Sequence, residues 1–391
     1  MADAPKTVRA GLLSAAACAG MLVFGIVMAL LGAVLPPLSA RIGFDLAQAG
    51  QLFLVMNLCM LLCSLGIGPT MDRFGMKAPM ALGPLAVGGA LIVLAFASSF
   101  GILLVAVALL GTGGGALNGS TNTLIADLNP DAGRKNAALN LLGMFFGFGA
   151  LLLPFGIGSL LSRLGLVAIL SIAAVLCVAV ALLSASLPFP QPKQSAGVHA
   201  ADVLRFLCVP MVWGLALLLF CESGNEFLLG GYISTYLTRE IHLSLSAASY
   251  ALAGFWAAIM LARALSSRVL LRVPGPRVIV VSAAVSALAS AALLMAHAAP
   301  AAVIAVLALG FGLAGIYPTT LGVAGAKFER HSGTVFGILF TIALSGGMLF
   351  PWTVGQIANA SGMRAGLMLA PAGFCAIFLI ASALPRLAVL E

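Results

Sequence analysis

The chain has 391 residues, of which 62% are hydrophobic and only 8% are charged, and its formal net charge at pH 7 is +8. So apolar a composition excludes an ordinary soluble domain. Apolar runs of about 20 residues, the length needed to cross a bilayer core of about 30 Å, recur along the whole chain. Because every backbone polar group in hydrocarbon must be bonded internally, these runs are predicted to be membrane-spanning helices.

We predict about twelve spans, at 11–38, 48–70, 78–98, 101–127, 137–162, 165–187, 208–237, 245–271, 278–298, 301–326, 334–358 and 365–386. The first is too long for the apolar region of a cleaved signal peptide and is followed by further spans. The expected fold is an all-α membrane protein with about twelve transmembrane helices in two pseudo-symmetric six-helix bundles, 1–187 and 206–391. A polar stretch rich in Pro, Gln, Lys and Ser, 188–205, is predicted to link them in the cytoplasm.

Basic residues are divided unevenly among the predicted loops. One set of alternate loops holds fifteen of the 19 Lys and Arg, including Arg263, and the opposite set holds Arg41, Arg163, Arg239 and Arg364. By the positive-inside rule, both termini are expected in the cytoplasm, and the chain in the cell (inner) membrane. The net positive charge then reflects the orientation of the chain in the membrane and does not indicate nucleic-acid binding. We therefore expect a lipid bilayer, and no nucleic acid, as a partner.

Three features of the first half recur in the second with one offset of 197 residues. They are Thr123-Leu124 with Thr320-Leu321, Gly149 with Gly346, and Pro154 with Pro351. A single offset in the fourth and fifth spans of each half indicates an internal repeat. Parallel repeats of this kind carry a solute site near mid-membrane.

A charged segment separates the second and third spans: Gly68-Pro69-Thr70-Met71-Asp72-Arg73-Phe74-Gly75-Met76-Lys77. It resembles the loop signature of the major facilitator superfamily, G-x-x-x-D-R-x-G-R-[RK], with Met76 in place of the first of two basic residues. The resemblance to this superfamily extends over the whole chain. It implies a transporter that works by alternating access.

In that family, such loop residues hold the two halves together at the cytoplasmic face in the outward-open state. The resemblance therefore implies a conformational latch made of Gly68, Asp72, Arg73, Gly75 and Lys77. Asp127, at the end of the fourth span, is the expected carboxylate partner for the arginine. The alternative is a loop of solvated charges.

The fourth span carries Asn118 and Asn122, one turn apart and therefore on one face. Side-chain amides both donate and accept hydrogen bonds, which suits the hydroxyls of a sugar. Asn57 in the second span and Asn140 in the fifth could join the same cavity. The alternative for each amide is a hydrogen bond between helices, worth about 0.6 kcal/mol on average.

Glu222 and Glu226 lie one turn apart in the seventh span, and they are the only acids well inside any predicted span. A carboxylate at the bilayer centre costs about 2.5–3.5 kcal/mol on insertion scales, so it indicates function. Burial disfavours the charged form, which lets such a group exchange a proton near neutral pH, although Na⁺ could equally bind. The pair is the predicted cation-coupling site, with Glu226 favoured. The alternative is a structural carboxylate bonded to a neighbouring helix.

The stretch from Gly224 to Tyr236 resembles the pattern G-S-E-x-x-x-G-G-W-x-x-T-Y of the fucose-permease-like branch of the same superfamily, with Tyr232 in place of the tryptophan. Segments 310–319, 332–337 and 346–352 resemble that branch too. The resemblance implies a sugar:cation symporter. Some sugar–proton symporters of the branch have an acid where Asn118 stands, so the proton route expected here passes through Glu226.

Three aromatic residues, Trp256, Tyr317 and Trp352, lie within predicted spans of the second half. Such rings can stack on the faces of sugars, and they complete the predicted substrate-binding set with the four asparagines. Packing or anchoring at the membrane interface explains each of them equally well.

We expect a carrier and not an enzyme. The four histidines fall in or near loops, and the sequence shows no metal-ligand spacing, no nucleophile–base pair and no G-x-x-x-x-G-K phosphate loop, so no cofactor or metal is expected. The prediction is a monomeric secondary active transporter that moves a small polar solute, a monosaccharide first, coupled to H⁺ or Na⁺. The alternatives are a proton-driven drug or metabolite exporter and a non-transporting receptor on the same fold.

Overall fold

The computed structural model describes residues 6–129, 131–190, 204–269, 273–328 and 332–387. Within these ranges all regular secondary structure is helical, which confirms the predicted all-α membrane fold. The helices are α1 Lys6–Ile42, α2 Leu46–Phe74, α3 Lys77–Phe96, α4 Phe100–Leu128, α5 Ala132–Ser186, α6 Pro210–Arg239, α7 Leu245–Val269, α8 Gly275–Met295, α9 Ala299–Leu313, α10 Ile316–Lys327, α11 Ser332–Ser361, α12 Met363–Leu367 and α13 Leu369–Leu387.

Eleven helical segments of the described ranges are long and apolar enough to cross a membrane. One of them, Ala137–Ser186 in α5, has 50 residues, more than twice the about 20 that a single crossing needs. Gly165 interrupts α5 with φ 74° and ψ 165°, a backbone conformation that glycine adopts readily and other residues rarely do. The segment therefore contains two spans, as predicted at 137–162 and 165–187.

The helices group into two compact units. The first unit comprises Met1–Gly43 and Leu58–Ala196, and the second comprises Phe44–Asn57 and Gly197–Glu391. The predicted bundles, 1–187 and 206–391, differ from these units in assigning all of α2 to the first half. The division into two six-helix repeats stays a prediction. Most of the predicted linker falls on residues 191–203, which lie outside the described residues.

The beginning of α2 belongs to the second unit because it packs on α6 and α11. A Cβ at Gly50 would lie 3.0 Å from the carbonyl oxygen of Trp352 in α11, so the two backbones are nearly in contact. The Phe53 ring centroid lies 5.3 Å from that of Tyr232 in α6. The boundary between the units crosses α2 directly after Asn57.

In the first unit, α5 approaches α1 as closely as only glycine permits. A Cβ at Gly149 would collide with the carbonyl oxygen of Leu22, and a Cβ at Gly25 would collide with that of Phe146. Lipid supplies no hydrophobic force between helices, so they associate through close packing at small residues of this kind.

The second unit contains the equivalent contact. A Cβ at Gly346 in α11 would collide with the carbonyl oxygen of Phe220 in α6. Gly149 and Gly346 are a pair that the repeat offset of 197 residues connects. Each glycine therefore allows the fifth predicted span of its half to pack closely against the first. The same close contact explains why a glycine occurs at both positions.

Candidate functional site

Helix α6 is the seventh predicted span, and it carries charged groups inside a closely packed region. Pro210 occupies its first turn, where a missing N–H removes no helical hydrogen bond. Every residue from Glu222 to Leu237 is buried. A helix buried on all sides belongs in the interior of a bundle, so its polar side chains must be satisfied there by protein groups, ions or solute.

Glu226 is paired with an arginine from the next helix. Its Oε1 lies 3.4 Å from Nη2 of Arg263 in α7, and the carboxyl side chain is 9% exposed against 27% for the arginine. In a site shielded from water, the two opposite charges balance each other, whereas either one alone would be costly. The pair is therefore an internal electrostatic contact rather than a surface salt bridge.

The position of Arg263 corrects the sequence analysis, which counted this residue among the cytoplasmic loops. The structure places it within α7 and within the candidate span Leu245–Leu265. A basic residue inside a predicted apolar segment, 245–271, was the signal that could have identified it. The charge pattern around it was instead attributed wholly to topology.

Glu222 lies one turn before Glu226 and is fully buried. Neither of its carboxyl oxygens has a hydrogen-bond partner, and it interacts electrostatically with Glu226 and Arg263. An ionised carboxylate without a partner is very costly away from water. A proton, a bound cation or the neighbouring Arg263 has to offset this cost. That Glu222 belongs to a coupling site stays a prediction.

Tyr317 contributes a hydroxyl to the same cluster. It follows the break between α9 and α10 and interacts electrostatically with Glu222, Glu226 and Arg263. Its ring is stacked on that of Phe340, with centroids 6.4 Å apart and planes at 6°. Helices α6, α7 and α10 thus gather two carboxyls, a guanidinium and a phenol in the second unit.

Asn225 is a polar residue that the sequence analysis did not single out. Its side chain is fully buried, and neither its amide oxygen nor its amide nitrogen has a hydrogen-bond partner. A Cβ at Gly373 in α13 would lie 2.6 Å from the amide nitrogen, so the amide is closely enclosed. The available signal in the sequence was a polar amide directly before Glu226, within an apolar span.

The two asparagines of α4 lie side by side, as predicted. Asn122 Nδ2 donates to the Asn118 backbone oxygen at 2.8 Å and lies 3.1 Å from its Oδ1. Both residues are partly buried. These bonds are local to the helix, and the role of the two amides in binding a solute stays a prediction.

The other two predicted amides differ in their surroundings. Asn140 in α5 is exposed. Asn57 is fully buried, its Nδ2 donates to the Phe53 carbonyl at 3.0 Å, and its Oδ1 has no hydrogen-bond partner. The proposed contacts of both with a solute stay predictions.

The two predicted tryptophans also differ. Trp256 is 1% exposed, and its Cζ2 would lie 2.9 Å from a Cβ at Gly230, so it packs tightly between helices. Trp352 is 37% exposed. Packing, the alternative considered from the sequence, describes the surroundings of Trp256, and sugar stacking stays a prediction for both.

The predicted latch lies where α2 ends and α3 begins. Gly75 has φ +81° and its N–H donates to the Met71 carbonyl at 2.8 Å, so a glycine is needed to end α2 here. Asp72 is partly buried, and the exposed Arg73 holds its guanidinium carbon 5.2 Å from the centroid of the Phe74 ring.

The remaining latch residues occupy the expected helix ends. Gly68 lies in the last turns of α2 with open space around it. Lys77 begins α3 and is exposed, and Asp127 is partly buried one residue before the end of α4. The arrangement is compatible with a latch, whose action stays a prediction.

Comparison with known proteins gives a consistent result. A family model described as Major Facilitator Superfamily matches residues 17–351 and, in a second match, 215–389. The Protein TsgA homolog of Erwinia tasmaniensis is 22% identical over 362 residues, which are 91% of this chain and 90% of that protein. The 4-hydroxybenzoate transporter PcaK of Pseudomonas putida is 33% identical over 124 residues, which are 32% of this chain and only 27% of that protein.

Solved structures share the fold at low sequence identity. A point mutant of the nucleoside transporter NupG superimposes with a TM-score of 0.78 at 15% identity, over 96% of this chain and 99% of that one. A point mutant of the E. coli fucose:proton symporter FucP gives a TM-score of 0.68 at 19% identity, over 95% of this chain and 98% of that one. At such identities these likenesses show the fold alone.

Proposed function

This chain belongs to the Major Facilitator Superfamily, as a transporter and not an enzyme, and from that membership we propose that it is a secondary active carrier of a small polar solute. The leading solute is a monosaccharide, and the driving ion is H⁺ or Na⁺. Glu226, assisted by Glu222, couples the ion to the solute during alternating access.

One observation carries this proposal: two buried carboxyls lie together in the middle of α6. Glu222 has no hydrogen-bond partner on either oxygen, and Glu226 contacts Arg263 at 3.4 Å. Carboxyls inside a membrane segment are expensive and mark ion pathways. A cation that binds and leaves in each cycle would meet the electrostatic need that these carboxyls create.

The choice of solute rests on a different kind of support. FucP is named as a fucose:proton symporter and NupG as a nucleoside transporter, and both share this fold. The relative from Pseudomonas putida is named as a 4-hydroxybenzoate transporter, so organic acids also belong among the solutes tested. Hydroxyl-rich solutes agree with the asparagines that the sequence analysis selected.

The test is an uptake panel in proteoliposomes. Purified full-length protein is reconstituted, and labelled sugars, nucleosides and organic acids are offered under an inward H⁺ gradient or an inward Na⁺ gradient. We expect one class of solute to accumulate above its external concentration with one of the two ions. If no solute accumulates with either ion, coupled import is wrong and export becomes the better interpretation.

We also propose that both termini lie in the cytoplasm of a cell with this protein in its inner membrane. Removing Arg263 from the loop count leaves the excess of basic residues on the same side. A reporter that is active only in the cytoplasm should be active when fused to either end. Activity of a periplasm-specific reporter at either end would contradict this topology.

Replacing Asp72 by Asn should slow turnover severalfold with little change in KM. If the α2–α3 loop stabilises one of the carrier's two conformations, loss of the Asp72 carboxylate changes the rate at which the carrier converts between them. The residues that contact the solute are unaffected. Initial uptake rates over a range of solute concentrations measure both quantities. Asp131→Asn is the matched control, because asparagine also caps helices and Asp131 accepts from the Arg134 N–H at the start of α5. Unchanged turnover in Asp72→Asn would exclude the latch.

A further inference from the structure

Tyr317 brings a phenolic hydroxyl close to the two carboxyls of α6 without a hydrogen bond to Glu222. It interacts electrostatically with Glu222 and Glu226, yet neither oxygen of Glu222 has a hydrogen-bond partner. Glu222 is fully buried and Tyr317 is partly buried. A donor and an acceptor therefore lie near each other inside the second unit, and the bond between them is not made.

The ring of Tyr317 has a structural explanation that does not extend to its hydroxyl. The ring stacks on Phe340 of α11, with the planes at 6° and the centroids 6.4 Å apart. Phe340 in turn contacts Phe336 of the same helix, with centroids 6.0 Å apart. A phenylalanine would make these contacts equally well. The hydroxyl is therefore the part of Tyr317 whose function the packing leaves open.

The backbone is interrupted just before Tyr317, between α9 and α10. Pro318 has no N–H, so the carbonyl of Ala314, one turn earlier, lacks its helical donor. The next bond along, from the Thr319 N–H to the Gly315 carbonyl, is long at 3.3 Å. A proline within a span is a common cause of a kink, so α9 and α10 need not move as one rod.

Glycines show that α9 is held more closely than α10. A Cβ at Gly310 of α9 would collide with the carbonyl oxygen of Phe255 in α7. In α10, a Cβ at Gly322 would have nothing within 4 Å, and one at Gly325 would make only an ordinary contact at 3.4 Å. The helix that carries Tyr317 in its first turn is therefore freer to change its position relative to α6 than α9 is.

Coupling requires the proton to be held more firmly in one conformation of the carrier than in the other, because a ligand shifts a conformational equilibrium only through such a difference. The buried Glu222 can lose a proton only where its ionised form is compensated. Arg263 interacts with both carboxyls, so its charge is shared between them. A phenolic O–H is a neutral donor, and its bond to an ionised carboxylate is stronger than its bond to a neutral acid. A hydroxyl that reaches Glu222 in one conformation alone would favour proton release there.

Building on the proposed function, with H⁺ as the driving ion, we propose that Tyr317 is a positioning residue that acts through Glu222. In the conformation described here the two groups are not bonded, and Glu222 holds a proton. In the other conformation α10 shifts at the break, and the Tyr317 O–H donates to the Glu222 carboxylate. Glu222 then releases its H⁺ to the water on the open side. Tyr317 keeps its own proton throughout, so it controls the release and does not carry the ion.

The described titratable groups that face Glu222 come from three helices. Glu226 lies on α6 itself, Arg263 on α7 and Tyr317 on α10. Cys221 precedes Glu222 on α6 and is partly buried. Of the other helices that pack on α6 or α10, α9 and α11 contain no charged or titratable residue, and the part of α2 that packs on α6 contains none either.

The remaining charged and titratable residues of these helices, and of α8, α12 and α13, are exposed, lie at helix ends or have other partners. The exposed ones are Tyr250, Arg277 and Cys375. Those in the last turns of α6, α7, α10 and α13 are Arg239, Arg268, Lys327 and Arg386. Those with other partners are Arg364 with Glu240, Tyr232 with the Pro351 carbonyl and Tyr236 with the Leu293 carbonyl. Tyr317 is thus the neutral donor that the described titratable side chains place beside Glu222.

The experiment removes the hydroxyl and keeps the ring. Wild-type protein and Tyr317→Phe are reconstituted in one orientation, and initial solute uptake is measured while the pH is varied on one side of the membrane at a time. Without the hydroxyl, ionised Glu222 is less favoured in one conformation. We therefore expect the pH midpoint of uptake to rise by at least about one unit, a tenfold change in proton affinity, on one side only. KM for the solute should stay within about twofold. Unchanged midpoints, or equal shifts on both sides, would overturn the proposal.

Two further variants separate a role through Glu222 from a structural one. Adding Tyr317→Phe to Glu222→Gln should leave the rate and pH profile of counterflow exchange within about twofold of Glu222→Gln alone, because the hydroxyl has no carboxylate left to bond. A further tenfold loss would mean that the hydroxyl contacts solute or supports the fold, and would contradict the role proposed here. Tyr232→Phe is the matched control, since it removes a phenolic hydroxyl that donates instead to the Pro351 carbonyl at 3.2 Å. Its pH midpoints should match those of the wild type.

Failure of this proposal can be told apart from failure of the proposed function. Proton-driven accumulation with the same pH midpoints in Tyr317→Phe and wild type would leave coupled import standing and overturn the role of Tyr317. Accumulation driven by Na⁺ alone would also leave coupled import standing, and would overturn proton release at Glu222. If no solute accumulates under either gradient, coupled import itself is wrong, and the proton step at Glu222 is wrong with it.

Discussion

With Glu226 replaced by glutamine, an imposed ion gradient no longer raises the internal solute above its external concentration, and the accumulation ratio falls to about one. Glutamine keeps the size and hydrogen-bonding capacity of the side chain and cannot exchange a proton or offer a negative charge to Na⁺. Counterflow exchange continues, because the loaded carrier can still change conformation. The loss is therefore one of coupling, and it is measured by uphill uptake and counterflow in the same preparation.

Glu240→Gln is the matched control for this result. Glu240 caps the C-terminal end of the same helix, and its Oε2 lies 3.9 Å from Nε of Arg364. Both of these side chains are about one-third exposed. Exposed ion pairs of this kind contribute little, so accumulation in Glu240→Gln should match that of the wild type. If Glu226→Gln accumulated solute normally, the coupling role would have to pass to Glu222 or to a group outside α6.

A leucine at Gly346 is expected to eliminate most of the folded carrier. The added side chain would have to occupy the position of the Phe220 carbonyl oxygen in α6, which is backbone and cannot turn aside as a side chain can. Overpacking in a core typically costs about 1–3 kcal/mol and more where the backbone must move, which is a large fraction of the stability of a domain. The yield of the monodisperse peak in detergent size-exclusion chromatography measures the effect.

The repeat supplies both a replicate and a control for this substitution. Gly149→Leu should have the same effect in the first unit, where the obstacle is the Leu22 carbonyl oxygen. Gly337→Leu in α11 and Gly143→Leu in α5 have nothing within 4 Å and should fold normally. A normal yield of Gly346→Leu would mean that α6 and α11 can separate, contrary to the close packing described.

Sequence alone predicted the fold because membranes restrict the possibilities so strongly. Length and hydropathy identify the spans, since only helices can satisfy the backbone within each segment. The 197-residue offset also correctly selected Gly149 and Gly346, which make the same contact in their respective units. The division of α2 at Asn57 could not be predicted in this way, because it depends on packing between residues such as Phe53 and Tyr232 that are distant in the sequence.

The candidate site was predicted only in part. Glu222 and Glu226 were found because carboxyls in apolar segments are rare and costly. Arg263 was missed because charge counting treats every arginine near a span end as a loop residue, although a long side chain inside a helix can pair with a buried acid. Asn225 was missed because the sequence shows that an amide lies within a span but not whether its hydrogen-bonding groups have partners. Which helix faces meet is decided by tertiary packing.

Ion movement that follows solute entry tests coupling through Glu226 most directly. A transported solute is added to proteoliposomes without any imposed gradient, and the entry of H⁺ is followed with an entrapped pH dye while the entry of labelled Na⁺ is followed in parallel. Coupling predicts that one of the two ions enters with the solute in wild-type protein, and that in Glu226→Gln the solute equilibrates with no ion entering. Solute entry without ion movement in wild-type protein, or unchanged ion movement in the variant, would contradict it.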